Sequence, residues 1–339
     1  MKHKNNFAVL PDQNKINAFS EAATKRALPP VAVEKDWWVT SVLRALFSVP
    51  YAEHLSFKGG TSLSKCWNLI ERFSEDIDVA VNREFLGFSE QLSKSQINNK
   101  LRRAACSFVR EKMQSDLAKQ LELNDISTNN FSVNVNITSV TTTDPEIIEI
   151  VYQSLFDDND YIKPVVKIEV SGRSMSEPLQ MVKLQSILDE VFSEMPFANA
   201  PFDVNAVVPQ RTFLEKICLL HEEFAKPKEL MRTKRMSRHL YDIARIMDFP
   251  IAEEALNDKE LYTSVVEHRR LFIGLKDFDY ETLAPENINI IPPESVISQW
   301  QQDYEIMQQT MIYGFSLPFN KLIDKIRQLN NKINNISSP

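Results

Sequence analysis

Apolar residues first recur at helical spacing within residues 12–28, at Ile16, Phe19, Ala22 and Ala23, before Pro29-Pro30 interrupts the run. A second helix with an aromatic face follows, from Val33 through Trp37 and Trp38 to Val42, Leu43, Leu46 and Phe47. Its Glu34-Lys35-Asp36 triplet reads as a solvated helix start. Leu55-Ser56-Phe57 is a short strand candidate that delivers the chain to Gly59-Gly60. Leu63, Trp67, Leu69 and Ile70 would give the next helix its buried stripe. Asp76-Ile77-Asp78-Val79-Ala80-Val81 reads as a strand that begins with two carboxylates.

Beyond it, Ile97, Leu101, Ala105, Phe108 and Leu117 make residues 91–121 a long amphipathic helix with a charged outer face. Three alternating runs predict half-buried strands: Phe131, Val133, Val135 and Ile137; Ile148, Ile150 and Tyr152; and Val166, Ile168 and Val170, with Lys167 and Glu169 on the other face of the last. Asp157-Asp158-Asn159-Asp160 is a polar turn; the EF-hand pattern is absent, so it reads as a solvated loop, not a calcium site.

From about Pro201 the pattern turns helical. Residues 211–248 predict two helices joined by a basic linker at Lys226-Pro227-Lys228. Phe213, Ile217, Leu220 and Phe224 form the core stripe of the first, with Lys216 beside it and His221-Glu222-Glu223 facing outward. Pro285, Pro292-Pro293 and Pro318 interrupt the remainder, and Phe319, Leu322, Ile323, Ile326 and Ile333 predict a last amphipathic helix.

Composition narrows the class. The chain has 339 residues, 43% of them hydrophobic and 25% charged, enough for more than one globular domain. A net charge of -7 means the surface as a whole does not attract nucleic acid, although a local basic site is compatible with it. Cys66, Cys106 and Cys218 are far apart, which argues against a disulfide scaffold or structural zinc and fits a reducing cytoplasm. The basic N-terminus lacks a following apolar region, and no apolar run reaches the ~20 residues of a membrane span. Glycine is scarce, at six residues, and two of the six are the Gly59-Gly60 pair. Such a pair points to backbone geometry or close ligand approach.

Candidate chemistry concentrates around that pair. In a strand, residues two apart share a side, so Asp76 and Asp78 would stand together. Adjacent carboxylates repel, and a divalent cation is the usual reason to keep them so close. A glycine-led helix N-terminus offers free N–H groups to phosphate. Glu169, on a neighbouring strand, would complete a cluster of three acids suited to two-metal phosphoryl or nucleotidyl transfer with Mg²⁺ (or Mn²⁺) and an NTP. Gly59, Gly60, Thr61, Ser62 and Lys65 are the nucleotide-binding candidates, the backbone N–H groups cradling the β- and γ-phosphates with help from the Ser62 hydroxyl. Arg232, Lys234, Arg235 and Arg238 form a cationic cluster, the candidate RNA-binding surface.

Gly-Gly-Thr-Ser-Leu-Ser-Lys at 59–65 followed by Arg-Phe-Ser-Glu-Asp-Ile-Asp at 72–78 resembles the first motif of the AbiEii/AbiGii nucleotidyltransferase toxin family, within the DNA polymerase beta-like nucleotidyltransferase superfamily. Lys-Ile-Glu-Val at 167–170, Arg-Thr-Phe-Leu-Glu-Lys at 211–216 and Ser-Arg-His-Leu-Tyr-Asp-Ile at 237–243 continue the resemblance in family order. It implies an α+β fold: a polymerase beta-like domain over residues 1–205, with a mixed sheet flanked by helices, and a mainly α-helical domain over 206–339. It also implies a bacterial toxin with a cognate antitoxin, tied to phage defence; relatives of the MenT type add nucleotides to the 3′ end of tRNA. Carried over by motif, Asp76, Asp78 and Glu169 are the metal-binding acids. Lys216 is expected near the nucleotide phosphates, and Asp242 is a base or orienting group. His239 stands where many relatives have another aspartate, and the gap from Gly60 to Asp76 is longer than is usual in the superfamily.

Two other readings stay open on these residues: a nucleotidyltransferase acting on a protein or small-molecule acceptor, and a non-catalytic regulatory protein of the same fold. The presence of all three acids argues against the last.

Overall fold

A computed structural model describes residues 6–74, 76–88, 92–136, 145–157, 162–175 and 177–336. The chain divides into two compact units, one of Met1–Ser62 with Glu75–Ala206, the other of Leu63–Ser74 with Val207–Pro339.

The first unit opens on helices α1 (Asp12–Arg26) and α2 (Pro30–Leu46). The proline pair that ends the first run also starts the second: Pro30 is the first residue of α2, where a missing N–H costs nothing. Strand β1 (Leu55–Lys58) runs into helix α3 (Gly59–Lys65), and β2 (Asp76–Val81) follows. The long helical stretch is realised from Gln96 to Leu123 as π-helical turns alternating with α4 (Arg102–Phe108) and α5 (Gln114–Leu123). Its expected start at Gln91 lies outside the described residues, as do Ile137 and Asp158 to Asp160.

Strands β3 (Phe131–Asn136), β4 (Glu146–Tyr152) and β5 (Val165–Ser171) occupy the expected places. After them come β6 (Leu179–Leu184), α6 (Ile187–Val191) and β7 (Phe202–Val207). Among the described residues these strands form one mixed sheet in the order β3-β4-β5-β2-β1-β7-β6. Ile77, Val79, Val166, Ile168, Val170, Ile148 and Ile150 are buried on one face, and α2 packs on α1, α5, α6 and β5. The other face carries the polar residues of β2 and β5.

Strands β6 and β7 were not expected. β6 is an edge strand with Leu179, Gln180, Met181 and Lys183 exposed, so it shows no alternation to read. β7 does alternate, Phe-Asp-Val-Asn-Ala-Val, and that signal was legible. Another correction concerns Glu34 and Lys35, which are buried and not solvated. Glu34 accepts from the Ser154 hydroxyl at 2.6 Å and the Leu155 N–H at 2.8 Å, while Lys35 donates to the carbonyls of Lys163 (2.9 Å) and Val165. Asp36 accepts from the Ile187 N–H at 2.7 Å. Charged residues at a helix start read as solvent-facing unless distant chain brings matching donors and acceptors, and here it does.

The second unit is helical: α7 (Pro209–Phe224), α8 (Ser237–Ile246), α9 (Pro250–Asn257), α10 (Lys259–His268), α11 (Ile297–Thr310) and α12 (Phe319–Asn334). Phe213, Ile217 and Leu220 of α7 join Leu240 and Ile243 of α8, Trp300 and Tyr304 of α11 and Leu322 and Ile326 of α12 in one core. Leu63, Leu69 and Ile70 are buried in that same core, each such side chain contributing about 1.5–3 kcal/mol. The helix expected to carry them ends at Lys65, and Asn68 turns the chain at a φ of 50°. The outward reading of His221-Glu222-Glu223 is also corrected. Glu222 is paired with Arg269 at 2.5 Å, Glu223 with Arg232 and Lys226 at 2.7 Å, and His221 accepts the Asn289 N–H at 2.9 Å; all three are buried.

Candidate active site

β2 pairs in parallel with β5, and the register sets Asp76 opposite Lys167 and Asp78 opposite Glu169. All four lie on the partly exposed face of the sheet, since the intervening Ile77 and Ile168 are buried. On its other side β2 runs antiparallel to β1, which sets Lys58 opposite Asp78. Glu149 of β4 stands opposite Lys167, their charged groups 3.6 Å apart.

The glycine pair closes on this row. Gly59 has φ +80°, the left-handed region, and a Cβ built on it would lie 1.8 Å from Asp78 Oδ2 and 2.7 Å from Asp78 Cγ. Only glycine suits both the backbone and the approach of the carboxylate. Two residues on, the buried Thr61 donates its hydroxyl to the Asp76 carbonyl, tying α3 to the first residue of β2. Ser62 is fully buried and its hydroxyl has no hydrogen-bond partner among the described residues. Gly60 and Lys65 are half-buried on the same short helix.

Lys216 and Asp242 belong to the second unit and meet there. Asp242 is fully buried, its Oδ2 2.9 Å from Lys216 Nζ. Arg72 grips the same carboxylate with both tines of its guanidinium, Nε to Oδ1 at 2.7 Å and Nη2 to Oδ2 at 2.8 Å. Burial alone would raise the Asp242 carboxyl, but the charges and hydrogen bonds of Arg72 and Lys216 hold it well below the usual carboxylate range. So depressed a carboxylate is a poor proton acceptor near neutral pH, which favours the orienting role over the base. Burial lowers Lys216 while Asp242 opposes the fall, and His239, 3.4 Å from Lys216 Nζ through Nδ1, is driven well below its ordinary value by burial and then by Lys216 and Arg238.

Within the cationic cluster, Arg232 is exposed but tied to Glu223. Arg232 makes two hydrogen bonds to Glu223 Oε2, at 2.9 and 2.7 Å, and its N–H makes a third to Oε1 at 2.6 Å. Lys234 and Arg235 are exposed, whereas Arg238 is half-buried beside Lys216 and His239.

The family profile for the nucleotidyl transferase AbiEii toxin of the type IV toxin–antitoxin system matches residues 41–326. The chain belongs to this family. A nucleotidyltransferase of the toxin–antitoxin type is therefore what it is, with an NTP substrate and an antitoxin partner implied. Among solved structures, MenT4, a nucleotidyltransferase toxin from Mycobacterium tuberculosis H37Rv, is similar over 97% of this chain and 91% of its own, with a TM-score of 0.53 and 14% identity. That likeness shows the α+β fold. A putative nucleotidyltransferase from H. pylori aligns over 91% of this chain and 96% of its own, with a TM-score of 0.45 and 14% identity. No curated protein sequence matches the chain.

Family membership implies a divalent metal. Among the described residues no three His, Cys, Asp or Glu side chains form a group that could hold one. The donors present do suit it chemically: Asp76, Asp78 and Glu169 offer only carboxylate oxygens, from one partly exposed face. Mg²⁺ takes one or two carboxylates and completes its shell with water and substrate phosphates. Two charged residues were given no role by the motif reading: Lys58, next to the first motif, and Arg72, within it. Their partners, at positions 78 and 242, follow only from sheet register and tertiary packing. Among the described residues no helix is long and apolar enough to cross a membrane.

Proposed function

We propose that the protein transfers a nucleoside monophosphate from an NTP to the 3′ end of tRNA. The acceptor oxygen bonds to the α-phosphorus as the bond to pyrophosphate breaks. Asp76, Asp78 and Glu169 are assigned as the holders of Mg²⁺ or Mn²⁺, which when bound supplies charge neutralisation at the triphosphate and favours ionisation of the acceptor hydroxyl. Gly59, Gly60, Thr61, Ser62 and Lys65 are assigned to the nucleotide, Lys216 to its phosphates, and Asp242 to orienting Lys216. The activity would belong to the cytoplasm, in phage defence under the control of an antitoxin.

The observation that carries this reading is the parallel β2–β5 register. It sets Glu169 against Asp78, with Asp76 on the same face and the Gly59 turn closed on the Asp78 carboxylate. Purified protein incubated with labelled NTPs, total tRNA and Mg²⁺ is expected to label RNA. Label that never reaches RNA would remove tRNA as acceptor.

One observation favours the second reading, a protein or small-molecule acceptor. Arg232, the first cation of the expected RNA surface, is taken up by Glu223. The exposed Lys234 and Arg235 make the distinction testable. Lys234→Glu combined with Arg235→Glu is expected to weaken tRNA binding and to flatten its salt dependence by roughly 1.5–2 in the log–log slope. Binding that does not change would return these residues to an ordinary solvated surface and move weight to the second reading.

A further inference from the structure

Lys216 and Asp242 carry family motifs, whereas the residue that organises them does not share their part of the chain. Arg72 lies in the segment Leu63–Ser74, which grows out of the glycine helix and leads to the carboxylate strand, yet belongs to the helical unit. That segment is held there by its backbone. Phe73 N–H donates to the Met311 carbonyl at 2.8 Å, Tyr313 N–H to the Glu71 carbonyl at 3.0 Å, and Glu71 N–H to the Tyr241 hydroxyl at 3.3 Å. Glu71 also pairs with Arg245 at 3.0 Å. The Arg72 guanidinium is therefore placed by the main chain on either side of it, before its contact with Asp242 is counted.

The charge balance at this spot is unusual for a structural ion pair. One buried carboxylate would be satisfied by one fork-shaped guanidinium. Here Asp242 also takes Lys216, while Arg72 acts on Lys216 as a repelling charge. Two buried cations thus share a single buried carboxylate, with the uncharged His239 beside Lys216. Excess positive charge in an interior is costly unless an anion completes it. An ammonium has three N–H donors; Asp242 takes one and His239 Nδ1 a second, which leaves one for a ligand.

We propose that Arg72 is a positioning residue: its bidentate grip fixes the Asp242 carboxylate, and Asp242 in turn fixes the Lys216 ammonium against the phosphates of the NTP. The inference rests on the nucleotidyl-transfer reading above, and names the group through which the assigned lysine is held.

The test compares full-length wild type, Arg72→Ala, Arg72→Lys, Asp242→Asn and the Arg72→Ala/Asp242→Asn double variant. Each is checked for fold by circular dichroism and thermal melting. Binding of ATP, GTP, CTP and UTP with Mg²⁺ is then measured by calorimetry, and transfer to tRNA separately. Folded Arg72→Ala is expected to lose about 30-fold in affinity for the preferred NTP, equivalent to about 2 kcal/mol. Arg72→Lys should lose about tenfold, since an ammonium cannot span both carboxylate oxygens. The double variant should lose no more than the worse single, because Arg72 acts through Asp242. Millimolar guanidinium should restore affinity to Arg72→Ala but not to the double variant, a rescue that a general loss of stability would not show. If Arg72→Ala does not fold, Arg72→Lys decides. Affinity within about threefold of wild type in a folded Arg72 variant, or losses that add, would overturn the proposal. Wild type that binds no NTP overturns it as well. Wild type that binds an NTP but labels no RNA counts against the tRNA reading alone, and the Arg72 proposal is then settled by the binding data.

Discussion

Asp78→Ala and Asp76→Ala are each expected to abolish nucleotidyl transfer, by about 10³-fold or more, or about 4 kcal/mol of transition-state stabilisation, without lowering the melting temperature. Asp76 and Asp78 share a partly exposed face of β2, opposite Lys167 and Glu169 of β5, with Lys58 of β1 opposite Asp78. Neither side chain belongs to the buried core, so alanine there removes little packing and should shift stability by no more than about 0.5 kcal/mol. A variant without activity should therefore melt close to wild type, as expected of a site built for a ligand and not for the fold. The measurements are incorporation of labelled NTP into RNA and calorimetric melting of the same preparations. Labelling that survives both substitutions would refute the assignment of these carboxylates, and a large fall in melting temperature would make them structural residues.

Gly59→Ala should be nearly as damaging, for a different reason. An alanine at φ +80° costs roughly 1–2 kcal/mol of backbone strain. Its methyl group would also occupy the position of the Asp78 carboxylate, since the built Cβ lies 1.8 Å from Oδ2. The carboxylate must move, and a loss of about 10²-fold in transfer is expected from misplacement alone. Gly87 separates strain from displacement: its φ is +86°, but a Cβ there meets nothing within 4 Å. Gly87→Ala should therefore show a comparable fall in stability with unimpaired transfer. Equal activity in the two variants would mean that the Gly59 approach to Asp78 has no part in the reaction.

Much of the candidate site was readable before any coordinates. The side-by-side placement of Asp76 and Asp78 needs only the two-residue period of a strand, and the glycine pair announces itself in a chain that otherwise avoids glycine. The core stripe of α7 at Phe213, Ile217, Leu220 and Phe224 followed from helical spacing in the same way. Apart from the unexpected strands β6 and β7 and the helix that ends at Lys65, reading failed at charged residues. Glu34, Lys35, Glu222 and Glu223 looked like solvent-facing positions; the first three are buried against partners far along the chain, and Glu223 is buried against Lys226 and Arg232 of the following linker. Periodicity carries no information about such partners.

What the sequence determined by itself is therefore local: which residues share a face of a strand or helix, where prolines start and stop helices, and which motifs stand in family order. Those properties depend on backbone geometry over a few residues, and they do not change with the rest of the fold. Tertiary structure alone decided which strands are neighbours, and so that Glu169 stands opposite Asp78, because β2 and β5 are separated by a long helix and two other strands. It also decided that Leu63–Ser74, though bracketed by the two halves of the first motif, buries Leu63, Leu69 and Ile70 among the C-terminal helices and sends Arg72 to Asp242. Both outcomes are settled by which apolar surface and which opposite charge lie within reach once the chain has folded, a matter of distance in space and not of spacing along the chain.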